Sequence, residues 1–559
     1  MTDVQSLKKG ALVAATYDTI LQVGLRIMSF ILNAFIIRHV SHEVFAVMTV
    51  RLHLLYATGL LLSREAFRRA ALSSKGSGQI YRLINLIWIG WVVSIPVGCL
   101  GWCVWSYVMI HPPHAVAPYY ETTVLFIVSS IVVEVAAEVP YILGELQMWT
   151  KTRVTIEGMM QTLRSLLLAT FVFKWPSQAV LLYGISHLCG SVMYTASYYG
   201  FFAYVMHRKK EVEKLPVKSL GQLFPSWEQG IWLPSVDTEL GRLAWSFFRQ
   251  GWLKEALTEG EFYLMNFFQL ISLAQQGVYQ VVNNLGSLAA RLVFRSVEAA
   301  AYKFFAQMME RGKSVAEQDQ KCIAESVKFL SSLLHNLVLV SLIIITFGWS
   351  YSRVVLQLYG GAQLSEGGGT PLMRAQCFYV IFLAVNGITE AYTFASMDDS
   401  QLSRFNGFLV FFSVIYIISA VVLTQIFGAL GFILANCLNM SLRIAYSLRF
   451  IYKQYQESCH RPLKSLLVRP KLLCVFLTAW ILTSASEGTV YHKTAVGHIS
   501  IGALALLAVV YALRWELRPL LEKVLDLTTR FISRFFPRKQ HHSIEVKLGD
   551  SIRKVLYKL

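Results

Sequence analysis

The chain has 559 residues, 55% of them hydrophobic and only 15% charged, against roughly 25% charged in soluble domains. A formal charge of +18, from 51 Lys and Arg against 33 Asp and Glu, fits anionic lipid headgroups on so apolar a background better than nucleic acid. A soluble enzyme, a disordered scaffold and a disulfide-stapled secreted domain are disfavoured. A polytopic, all-α membrane protein is expected, with about fourteen spans placing roughly 280 residues in hydrocarbon.

A short polar stretch, Met1 to Gly10, leads straight into apolar sequence with no small-residue cleavage site, so the first span is expected to act as an uncleaved signal anchor. Hydropathy marks the first six spans as 11–37, 44–62, 83–110, 122–143, 154–173 and 179–206. A polar linker follows, then 257–273, 277–300, 329–349, 376–395, 408–426, 430–451, 472–486 and 495–513. The expected organisation is a six-helix bundle over 1–206, a cytosolic linker with an amphipathic helix over 207–256, and a second six-helix bundle over 257–454. Two additional helices over 455–513 and a basic amphipathic tail over 514–559 complete it.

Charge parity checks the count, because one missed span would swap the side of every later loop. Sorted this way, roughly 42 of the 51 Lys and Arg fall on the N-terminal side, which makes both termini cytosolic. Two segments read as interfacial helices. In one, Leu243, Trp245, Phe247, Phe248, Trp252 and Leu253 crowd around Arg249 and Lys254; in the other, Leu520 to Phe535 alternate with Arg518, Lys523, Arg530 and Arg534. A solvated cytosolic helix is the plainer alternative for each. The eight cysteines read as small buried hydrophobes, with Cys99 and Cys103 the one close pair.

The pattern G-x-L-x-x-R-x-x-F-R occurs twice, as Gly59, Leu61, Arg64, Phe67, Arg68 and as Gly286, Leu288, Arg291, Phe294, Arg295. Both copies close an even-numbered span and six spans separate them, so the two bundles are expected to be parallel and pseudo-symmetric.

Arginine in or beside an apolar span is costly unless it snorkels, pairs, or faces a wet cavity. Arg26, Arg38, Arg51, Arg64 and Arg291 are therefore informative, and Gln22 shares a helix face with Arg26 four residues on. Guanidinium groups hold phosphate bidentately, which suits a diphosphate better than a sugar or a cation. Marking the cytosolic boundary is the plainer role for Arg64, Arg68, Arg69 and Arg291. Glu134, Glu138, Glu261 and Glu390 could carry coupling cations, but pairing with the arginines accounts for them more simply. No P-loop, G-x-S-x-G, H-E-x-x-H or complete G-x-G-x-x-G is present, so no catalytic, metal or cofactor site is expected and an ATP-driven pump is disfavoured.

Several motifs resemble the eukaryotic Rft family. They are Asn33-Ala-Phe-Ile-Ile-Arg38, Val50-Arg-Leu-His-Leu-Leu-Tyr56, Ser63-Arg-Glu-Ala-Phe-Arg-Arg-Ala70 and Leu257-Thr-Glu-Gly-Glu261. Gly277-Val-Tyr279, Asn284 to Leu288, Asn386 to Tyr392 and Asn436 to Met440 continue the likeness in order. Ser296 departs from the proline expected there, which bears on a kink in the eighth span rather than on the resemblance. The resemblance implies a multidrug/oligosaccharidyl-lipid/polysaccharide exporter fold in the endoplasmic reticulum membrane. It further implies a translocation role for dolichol diphosphate-linked oligosaccharide in N-glycosylation, or a non-transporting role in delivering that lipid to lumenal glycosyltransferases. Contacts with N-glycosylation enzymes are an expectation of the same kind. Gln22, Arg38, Arg64, Glu261 and Arg291 are carried over by resemblance as functionally required, and Arg26 joins them on physical grounds. A cation-coupled drug antiporter would need a carboxylate-lined cavity, and the arginine-rich lining argues against one.

Overall fold

The computed structural model describes residues 24–25, 27–73, 80–147, 149–207, 217–226, 238–258, 260–288, 294–456 and 458–514. Among them are helices and turns but no strand. We number the helices α1 (Ile27–His39), α2 (His42–Ser73), α3 (Ile80–Val108), α4 (Tyr120–Val135), α5 (Glu138–Leu146), α6 (Thr150–Lys174) and α7 (Pro176–Met206). Next come α8 (Thr238–Thr258), α9 (Gly260–Phe268), α10 (Leu273–Gly286) and α11 (Arg295–Met308). The last six are α12 (Gln320–Gly360), α13 (Ala362–Ser396), α14 (Asp399–Phe427), α15 (Leu430–Gln454), α16 (Pro462–Thr489) and α17 (Ala495–Arg514). The part of the expected first span before residue 24 and the expected amphipathic tail after Arg514 lie outside the described residues.

Among the described residues eight of these helices are long and apolar enough to cross a membrane, or nine when α4 and α5 are taken as one bent span, against the fourteen expected; most of the expected first span lies outside those residues. Further spans differ for physical reasons. Helices α6 and α15 have 25 residues each, enough to cross, but carry charges such as Arg153, Glu157, Arg164 and Arg443 within them. The seventh expected span ends early at Gln269, and residues 289–293 of the eighth lie outside the described residues. The chain leaves α9 through Gln269 at φ 44°, and the buried Gln276 donates Nε2 to the carbonyls of Ile271 and Met265 at 3.1 and 3.3 Å. Side-chain donors of this kind make a break tolerable at membrane depth.

The chain forms two compact units. One lies within Met1–Asn284 together with Gln357–Gly369 and Ser413–Ala435; the other takes Leu285–Leu356, Thr370–Phe412 and Asn436–Leu559. Lipid is as apolar as leucine, so cohesion in each unit rests on van der Waals fit and buried polar pairs. In the first unit Ile84, Ile142, Tyr194 and Phe202 form the centre of a buried cluster. The second unit is centred on Phe305, Leu334, Ile388 and Tyr392, and α16 and α17 pack on α12 through Leu339, Phe476, Val509 and Leu513. Arg374 locks α13 to α16 with a two-pronged pair to Glu487 at 2.7 and 2.8 Å. All eight cysteines are free thiols; Cys377 and Cys437 are buried as expected, whereas Cys99, Cys103, Cys189, Cys459 and Cys474 are exposed.

The tight turn from α14 to α15 runs through Gly428 at φ 59°. A β-branched residue there would strain the backbone, so Gly428→Val is expected to cost about 1–2 kcal/mol. A lowered Tm of the detergent-solubilised protein checks this.

Candidate functional site

The first unit holds a charged cluster where α2, α4, α5, α6 and α7 meet. Its centre is Glu134, a buried carboxylate on the last turn of α4. Arg64 Nη1 donates to Glu134 Oε1 at 2.8 Å, and Arg164 Nη2 donates to Oε2 at 2.9 Å. The hydroxyls of Tyr56 and Ser191 also donate to Oε2, at 2.5 and 3.3 Å. A charge this deep is stable because several donors share it.

Local sequence explains the geometry. Between α4 and α5 the axis bends by 41°, which frees backbone carbonyls. Helix α7 satisfies them: Thr195 Oγ1 donates to Val133 O at 2.7 Å and the Tyr199 hydroxyl to Ala136 O at 3.0 Å. Helix α2 widens to π-type hydrogen bonding over Leu61–Glu65, the turn that carries Arg64. Gly190 makes room for Arg164, since a Cβ there would overlap the arginine's Cγ and Nε.

The three arginines differ in how fully they are used. Arg68 grips Glu138 with Nε at 2.9 Å and Nη2 at 2.5 Å, and its guanidinium lies 3.7 Å over the Tyr141 ring. Arg164 is 6% exposed and adds bonds to Tyr56 and Ser191, both at 2.7 Å. Arg64 bonds Glu134 through Nη1 alone, with Glu138 at 3.7 Å from that same nitrogen. Its side chain keeps 20% exposure, and Nε and Nη2 make no hydrogen bond among the described residues. One edge of the Arg64 fork thus has no hydrogen-bond partner among the described residues, whereas Arg68 and Arg164 each make several bonds within the cluster.

The other sequence candidates lie apart from this cluster. Arg38 caps the C-terminal end of α12, donating to the carbonyls of Leu358 and Tyr359, the latter at 3.2 Å. That role follows from the orphan carbonyls of a helix end. Glu261 accepts from the Tyr416 hydroxyl at 3.3 Å. Arg51 is fully buried and structural: Nη1 donates to Ile110 O at 2.6 Å and Nε to Asn266 Oδ1 at 3.4 Å. No hydrogen bond or ion pair joins any two of Arg38, Arg64 and Glu261. Gln22, Arg26 and Arg291 lie outside the described residues.

Glu134 and Glu138 pair with arginines, as expected, and so does Glu390, which Arg443 grips at 2.7 and 2.8 Å in the second unit. Sequence reasoning missed Arg164 and Arg443. The rule that picked out Arg26 applies to both, since each sits well inside an apolar stretch.

A family model described as Rft protein matches residues 11–526. The chain belongs to the Rft family. A Mus musculus relative named Man(5)GlcNAc(2)-PP-dolichol translocation protein RFT1 is 39% identical over 503 residues, covering 88% of this chain and 92% of the mouse protein. A Xenopus tropicalis relative of the same name is 37% identical over 503 residues, covering 88% of this chain and 92% of its own length. Among solved structures, lipid II flippase MurJ in an inward closed conformation superposes with a TM-score of 0.59 at 14% identity, covering 90% of this chain and all of that one. The likeness gives this Rft-family chain the same polytopic all-helical fold.

Two substitutions separate the arginine roles. Arg164→Ala would leave Glu134 with one guanidinium and strip Tyr56 and Ser191 of a donor, at a cost of about 3–5 kcal/mol. It should sharply lower the amount of folded protein in fluorescence-detected size exclusion. Arg64→Ala leaves Glu134 held by Arg164, Tyr56 and Ser191, and is expected to accumulate nearly normally in the same measurement.

Proposed function

We propose that the protein moves a dolichol diphosphate-linked oligosaccharide between the leaflets of the endoplasmic reticulum membrane for N-glycosylation. Membership of the Rft family and the names of its mouse and frog relatives support this reading. The observation that carries it for this chain is the half-used fork of Arg64, held by Glu134 through Nη1 and without a hydrogen bond on Nε and Nη2 among the described residues.

A diphosphate presents several anionic oxygens, and a planar guanidinium with free N–H groups can receive two of them at once. Arg64 already has a carboxylate partner, so the empty site carries little bare charge. An arriving diphosphate then meets donors already oriented, which limits the ordering cost of binding. Glu138 stays engaged by Arg68 and does not compete for Arg64 at short range. Gln22, Arg26 and Arg291 are proposed on sequence grounds as further contacts, with Arg38 and Glu261 as residues the activity also requires. Both termini face the cytosol in this reading, as the Lys and Arg asymmetry supports.

Reconstitution into vesicles, with an assay for which leaflet the oligosaccharide lipid occupies, tests the proposal. Arg64→Ala is expected to lower transfer by at least about tenfold, the loss of one charge-assisted contact. Arg64→Lys should recover part of it, because an ammonium lacks the two-pronged fork. Wild-type vesicles that bind the lipid yet leave its leaflet distribution unchanged would favour a delivery role instead.

A further inference from the structure

The first unit contains a second feature that the charged cluster does not use, an apolar groove of about 450 Å³ between α2, α3, α9 and the edge of α14. Its wall includes Leu55, Leu62, Leu100, Trp105 and Ile417, and the Thr58 and Tyr263 hydroxyls that reach it satisfy each other at 2.6 Å. What remains for an occupant is almost wholly hydrocarbon contact. The groove extends about 10 Å along α2 from Leu55 to Leu62, at 1.5 Å per helical residue.

One end of the groove indicates its occupant. There stands Trp252 of α8. Trp252 shares an exposed stripe with Arg242, Trp245 and Arg249, spaced three, four and three residues apart on one helix face. Neither arginine has an ion-pair partner among the described residues. Alternating guanidinium and indole groups mark headgroup depth, so this end opens where a lipid phosphate lies. Trp105 and Phe267, an edge-to-face pair with centroids 6.2 Å apart, also line it. Along the side, the lining residues Gly260 and Ile417 are the chain neighbours of Glu261 and Tyr416, which hydrogen-bond at 3.3 Å. The groove wall is thus adjacent in sequence to the Glu261–Tyr416 hydrogen bond.

We infer that this groove holds a stretch of the isoprenoid chain of the transported lipid, entering beneath α8 while the diphosphate is engaged elsewhere in the same unit. The inference rests on the proposed substrate. It gives the L-T-E-G-E motif a structural meaning. No atom lies within 4 Å of where a Cβ on Gly260 would sit, so the glycine keeps space open at the groove wall.

The test uses purified full-length protein in vesicles, with a polyprenyl diphosphate carrying a diazirine on an early isoprene unit. After irradiation, crosslinked peptides are mapped by mass spectrometry. Labelling is expected on the peptides bearing Leu55, Leu100 or Tyr263, competed by unlabelled polyprenyl diphosphate but not by phosphatidylglycerol. Gly260→Leu and, independently, Leu100→Trp fill the groove and should each reduce that labelling about tenfold, as the loss of roughly two buried methylene contacts would. Labelling that phosphatidylglycerol competes equally, or that survives in both well-folded variants, overturns the groove assignment. So does wild-type protein that moves the oligosaccharide lipid between leaflets but labels elsewhere, and in that case the transport reading stands. Protein that neither binds nor moves the lipid overturns both.

Discussion

A carboxylate at Glu134 would be untenable in an apolar helix without partners, and much of the first unit is arranged to supply them. Guanidinium groups arrive from α2 and α6, and hydroxyls from α2 and α7, so three elements are tied to α4 through one pair of oxygen atoms. The break after α4 turns the axis so that Glu138 meets Arg68 instead of crowding the same space. The break is sustained in turn by Thr195 and Tyr199 on the freed carbonyls. In a medium that offers no hydrophobic drive between helices, such buried polar contacts and close packing specify which helix lies beside which.

The same cluster divides labour among like residues. Arginine content alone would suggest a strongly positive lining. The wider network instead balances Arg64, Arg68, Arg153 and Arg164 against Glu134, Glu138 and Glu145, with Glu157 within electrostatic reach of Arg64, Arg68 and Arg153. A neutral, prearranged array with one open edge suits reversible binding of an anion that has to be released again. Bare charges would be costly to bury and slow to give up a diphosphate.

Much of this was legible in the residues. The apolar content, the span pattern and the lysine and arginine asymmetry sufficed for an all-helical polytopic protein, and the motif order pointed to the Rft family, which the family match bears out. Helix lengths were less legible. Hydropathy sees the apolar middle of α12 but not its continuation to 41 residues, and it reads through the polar break at Gln269 because the flanking residues are apolar. At the candidate site, the pairing of Glu134 and Glu138 with arginines followed from the cost of unpaired charge. Where Arg64 and Arg164 sit depends on the π-type turn at Leu61–Glu65 and on the space left by Gly190, neither of which has a one-dimensional signature. Arg38, singled out by resemblance, also caps the end of α12, a contact between residues 320 positions apart that the sequence does not show.

The central claim is that Glu134 holds Arg64 by one N–H and leaves the rest of its fork for a diphosphate. A structure of the full-length protein with a bound polyprenyl diphosphate tests it most directly. The account predicts phosphate oxygens within hydrogen-bonding distance of Arg64 Nε or Nη2 while Arg164 still holds Glu134. A diphosphate bound away from Arg64, with that arginine closed onto both Glu134 and Glu138, would contradict it.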